Sequence, residues 1–114
     1  MTQAIIPYIE ANYSVGTTRY NRALCGLSMG SMQVFYAGLS QNLKYFAYYG
    51  AFSSPGMTGG QDALVEALNN EVAEDKSLDI KFFYNLCGSS DTLVINNHRA
   101  MVDGLCDRTS LLTE

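Results

Sequence analysis

Three residue types in this chain carry the chemistry of acyl transfer: a serine in a glycine-flanked turn, an aspartate after a strand, and a single histidine. Ser28 is the centre of Gly26-Leu27-Ser28-Met29-Gly30. A short apolar run, Ala23-Leu24-Cys25, precedes it, and Met32, Phe35, Tyr36 and Leu39 follow at helical spacing. A plain turn can carry the same five letters, so the flanking segments decide the reading. Strand, then G-x-S-x-G, then helix is the setting of a nucleophilic serine. A serine on so tight a turn needs nearly bare neighbours, and Gly26 and Gly30 are expected to supply them. The turn lifts the Ser28 hydroxyl above the sheet. The backbone N–H of Met29, at the positive end of the following helix, then faces an oxyanion forming on a bound carbonyl.

Asp91 follows the apolar stretch Asp79–Cys87 in the turn Gly88-Ser89-Ser90-Asp91. A strand over that stretch, parallel to the one before Ser28, puts both residues on one rim, where ligands of parallel sheets gather. A capping role at the helix after Asp91 is the alternative. His98, the only histidine, falls about two turns into that helix, which leads away from the rim. We read it as a surface helix residue and not as the base that Ser28 needs.

The elements that position these residues alternate. Helical spacing marks Thr2–Tyr13, with Thr2 as N-cap and Pro7 in the first turn or at a kink. A polar loop runs from Asn12 to Asn21, and a strand is expected over Arg22–Gly26. Helices follow at Met29–Leu39, Gln61–Glu74 and Thr92–Leu105. Ser31, Ala37 and Gly38 are small enough to let the first of these lie close on the sheet. Tyr45–Phe52 reads as a strand buried on both faces, as parallel strands are. Together these give one α/β domain over residues 1–114, with three parallel strands, flanking helices and two sheet edges in need of cover.

Composition narrows the partners. The 114 residues carry a formal net charge of −4, with seven scattered Lys and Arg, which argues against a nucleic-acid surface. No apolar run is long enough to span a bilayer, and Met1–Pro7 lacks the features of a signal peptide. Cys25, Cys87 and Cys106 fit no metal or disulfide pattern, and Cys25 and Cys87 are expected to be buried thiols. Neither a metal nor a cofactor is expected. Eight tyrosines and five phenylalanines are many for this length, so some aromatic surface is expected to be covered by something else.

Arg22 to Gly30, Gly38-Leu39 and Phe46 to Ser53 together resemble a family of α/β-hydrolases. That family contains feruloyl and acetylxylan esterases, enterochelin esterases, S-formylglutathione hydrolases and mycolyltransferases. The bacterial feruloyl esterases of carbohydrate esterase family one are the nearest in look. Ile6–Glu10 resembles the helix before their elbow strand, and Leu86–Asp91 their acid-bearing loop. Ser31 departs from the pattern, which has a second glycine there. The resemblance implies a partial α/β-hydrolase fold, with Ser28 as nucleophile, Asp91 as triad acid and Met29 N–H as oxyanion donor. It also implies that the catalytic histidine and the second oxyanion donor lie outside this chain. The implied substrate is a carboxylic ester, small or linked to polysaccharide, with a feruloyl-like acyl group. Such enzymes are often secreted, but the sequence leaves the compartment open. The reading from a different class is a truncated, non-catalytic remnant that only folds, or only associates, with a partner or with itself, through its exposed sheet edges.

Overall fold

The computed structural model describes residues 2–56 and 60–106. Its elements run α1 (Ile5–Asn12), β1 (Ala23–Leu27), α2 (Met29–Gln33), β2 (Tyr48–Phe52), α3 (Gly60–Glu74), β3 (Phe82–Leu86) and α4 (Ile95–Cys106). The strands form a parallel sheet in the order β1-β2-β3. The chain is therefore mixed α/β with an open sheet. Pro7 sits in the first turn of α1, where its missing N–H is no loss. Ala4, not Thr2, is the N-cap, and no side chain caps this helix.

Beyond Gln33 the helix widens into a π-helical stretch over Val34–Leu39. Its end is closed by side chains. The Ser40 hydroxyl donates to Tyr36 O and the Asn42 amide to Ala37 O. Gly38 faces the sheet so closely that a β-carbon there would stand 2.7 Å from Leu24 Cδ2 and 3.1 Å from Tyr49 Cε1. A side chain at this position would push the helix off β1 and β2.

The core lies between one face of the sheet and the helices. Tyr49 and Ala51 of β2 pack there with Val34, Phe35 and Leu39 of the π-helical stretch, with Leu64 and Leu68 of α3, and with Met101 and Leu105 of α4. Leu24 of β1 and Phe83 of β3 join from the flanking strands. The other face departs from expectation. Tyr48 is exposed, and so are Cys25 and Leu27 of β1 and Phe82, Tyr84 and Leu86 of β3. The apolar run Tyr45–Phe52 suggested a strand buried on both faces. Among the described residues, helices cover only one. Cys25 is accordingly an exposed thiol, not a buried one, and Cys87 is half-buried. No helix among the described residues is long and apolar enough to cross a membrane.

The strands are tied together at their N-terminal ends by Arg19, in a short 3-10 turn before β1. Its guanidinium donates to Leu43 O at 3.2 Å, Phe46 O at 2.9 Å and Asp79 O at 2.7 Å, and pairs with the Asp79 carboxylate at 3.1 Å. Lys81 also pairs with that carboxylate. Nearby, Arg22 pairs with Glu10 of α1 and donates to Thr17 O.

Candidate active site

At the opposite, C-terminal ends of the strands the backbone turns sharply. Ser28, between β1 and α2, has φ 55° and ψ −117°. That combination lies outside even the left-handed region that asparagine and aspartate visit, and a serine there costs about 1–3 kcal/mol. Three hydrogen bonds hold the turn. Ser28 N–H donates to Phe52 O at 2.9 Å, Ser31 N–H donates to Ser28 O at 3.0 Å, and the Ser31 hydroxyl donates to the same carbonyl. Ser31 is fully buried. A serine that looked like a misfit in the sequence thus satisfies the carbonyl of the strained residue. Ser28 itself is exposed, and its hydroxyl has no hydrogen-bond partner among the described residues.

The two glycines differ. A β-carbon on Gly26 would stand 2.1 Å from Gly30 O and 2.2 Å from Gly30 C. Both are backbone atoms, so no side chain fits at residue 26 without moving the turn. A β-carbon on Gly30 would meet nothing within 4 Å. The demand for bareness expected of both falls on Gly26 alone. Gly30 serves as the surface against which Gly26 packs. Met29, next to Ser28, opens α2. A first-turn N–H has no intrahelical acceptor, so Met29 offers its N–H on the side of the Ser28 turn.

Asp91 stands on the same rim. β3 runs parallel to β1, ends at Leu86 and leads through Gly88 to Asp91, whose N–H donates to Gly88 O at 3.0 Å. The Asp91 carbonyl accepts from Val94 and Ile95 N–H. Its carboxylate makes no such bond among the described residues, so the capping at this helix start is done by backbone. β1 and β3 are two strand spacings apart, roughly 9–10 Å. Between them, at the end of β2, Ser53 has φ 46° and donates its N–H to Leu86 O at 2.7 Å. In the sequence Ser53 stands only as the last residue of the Phe46–Ser53 stretch, with no role of its own. Ser28 and Ser53 are the two residues other than glycine with positive φ among those described.

His98 is not at this rim as a base. It lies in α4, as expected, but it is buried, 7% exposed, and not on the surface. The signal was present in the sequence: Val94, Ile95, His98, Met101 and Leu105 fall on one helical stripe. No hydrogen bond joins His98 to Ser28 or Asp91, and its Nδ1 has no partner among the described residues. Burial lowers its pKa below the usual histidine value, and the Asp91 charge pulls weakly the other way. The described residues also hold no cluster of His, Cys, Asp or Glu that could bind a metal.

The arrangement presents an exposed hydroxyl on a strained turn and, on the same edge, a carboxylate with no hydrogen-bond partner among the described residues. Met29 and Leu93, 75% and 89% exposed, flank the two as apolar side chains. No protein-family model matches the sequence.

Proposed function

We propose that this chain carries the nucleophile and acid of a serine carboxylic-ester hydrolase, similar to feruloyl esterases. The observation that carries this reading is the backbone of Ser28. Proteins rarely keep a non-glycine residue at φ 55°, ψ −117° unless the position is over-determined, and such positions gather at active sites. Here a glycine with no room for a β-carbon and a buried serine hydroxyl hold it in place. In the mechanism, Ser28 Oγ attacks the ester carbonyl while a histidine from outside the described residues takes its proton. Asp91 orients that histidine. Met29 N–H stabilises the tetrahedral oxyanion, which collapses with loss of the alcohol, and water then releases the acid. The sequence resemblance supports a feruloyl-like acyl group. The exposed Met29 and Leu93 suit an apolar acyl chain.

One observation favours a second reading, a domain that folds and associates without catalysing: no histidine touches Ser28. Supplying the base from solution separates the two. With p-nitrophenyl acetate and added imidazole, the wild-type chain should turn over faster than Ser28→Ala, and mass spectrometry should find the acetyl group on Ser28. Equal rates and an unmodified Ser28 would overturn the hydrolase reading. Without imidazole, turnover should be weak, because a triad lacking its base loses several orders of magnitude in rate. Robust turnover in its absence would instead make His98 the base.

A further inference from the structure

The uncovered face of the sheet carries no charged side chain. In the register of the ladders it consists of three rungs: Ala23, Tyr48 and Phe82; Cys25, Gly50 and Tyr84; Leu27, Phe52 and Leu86. The rings are already ordered against one another. Phe82 stacks on Tyr84 with centroids 6.1 Å apart, and Phe52 meets Tyr84 edge-on at 6.0 Å. At the centre Gly50 has no side chain, and Cys25 and the Phe52 ring close over it, so that it is buried. A β-carbon there would lie 2.9 Å from Cys25 Sγ and 3.0 Å from Phe52 Cζ.

We infer that this face binds a second copy of the chain, sheet against sheet, in a closed two-fold pair. The size of the face, its lack of charge and its missing cover together support the pairing. Leu27, Tyr48, Phe82, Tyr84 and Leu86 are each between 37% and 65% exposed. At roughly 150–250 Å² for a large side chain, they leave about 500 Å² of apolar surface. Two such faces brought together bury about 1,000 Å², the size at which specific association begins. A parallel sheet is ordinarily covered on both faces, and this one lacks its second cover among the described residues. Sheets pack face to face about 10 Å apart, and no charge has to be desolvated to bring these two together. The pairing uses the face and leaves the rim open, so it does not rest on the hydrolase reading. Ser28→Ala should leave it unchanged.

Light scattering on the purified chain tests this. The mass should rise from monomer toward twice that value between about 1 and 100 μM, as for a modest interface of this area. Tyr84→Glu, which places a charge in the middle rung, should stay monomeric across the range, with circular dichroism reporting its fold. A second readout needs no variant on the face. In a chain keeping Cys25 as its one thiol, through Cys87→Ser and Cys106→Ser, maleimide should react at least fivefold more slowly at 100 than at 1 μM. A monomer at every concentration, growth past the dimer, or a dimer in which Cys25 stays as reactive would overturn the inference. A chain that stays monomeric while its face takes up an amphipathic helical peptide would assign the face to a helix and overturn it as well.

Discussion

At the scale of the residue, strain and satisfaction are unevenly distributed. Ser28 is strained but every backbone partner it needs is supplied. His98 is unstrained but buried with an unpaired nitrogen. That difference predicts an acid response. Because burial lowers the folded-state pKa of His98, the unfolded chain binds the proton more readily, and protonation favours unfolding. The stability contributed by the neutral ring is fully present above the unfolded value near pH 6.5, and it is lost as pH falls toward the folded one. Glu71 works in the other direction. Burial raises its pKa, although Leu43 N–H bonds its carboxylate, so the folded state takes up a proton first and gains stability on acidification. Since the chain has one histidine, urea midpoints measured from pH 7.5 to 5.5 should fall for the wild type. In His98→Phe they should stay level or rise slightly. A wild-type midpoint that does not move over this window would show that the folded chain accommodates the charged ring.

At the scale of the element, the turn from β1 to α2 separates two glycines that the sequence could not distinguish. Gly26→Ala forces a β-carbon against the Gly30 backbone and should cost about 1–3 kcal/mol or more, as overpacking does. Gly30→Ala meets open space inside a helix and should gain about 0.5–1 kcal/mol from lost chain entropy. Denaturant curves of the two variants should therefore move in opposite directions, and equal losses would mean that Gly30 has a neighbour beyond the described residues. The order of elements, their parallel pairing and the turn holding Ser28 were legible from apolar runs, helical spacing and glycine positions. Those signals are local, and they failed where a long-range choice was made. The apolar run Tyr45–Phe52 suggested a strand buried on both faces, but whether its second face is covered depends on what packs there. The place of His98, two turns into a helix that leads away from the rim, suggested a surface residue, while the stripe from Val94 to Leu105 sets its burial. Ser31 was read as a departure from a pattern, and its hydroxyl holds the carbonyl of Ser28.

At the scale of the whole molecule, the two ends of the sheet do different work. At the C-terminal rim the Ser28 hydroxyl and the Asp91 carboxylate have no hydrogen-bond partner among the described residues. The N-terminal end concentrates the pairing that holds the layers together, and Arg19 is its centre. One guanidinium joins the turn before β1 to Leu43 and Phe46, ahead of β2, and to Asp79, ahead of β3. Its side chain is 10% exposed, so these bonds are shielded from water, and losing them leaves carbonyls unpaired in a crowded place. Arg19→Ala should lower stability by about 2–4 kcal/mol, with much of the loss coming from those carbonyls. Arg19→Lys should recover little of it, because an ammonium cannot spread planar donors over three carbonyls and a carboxylate. Raising salt should barely change the wild-type value if hydrogen bonds dominate, whereas an ion pair with the half-exposed Asp79 as the main contributor would make it salt-sensitive. The two variants and the salt series, read by urea denaturation, distinguish a hydrogen-bonding clamp from a surface charge. A lysine that restored full stability would show that the positive charge alone ties the strands at this end.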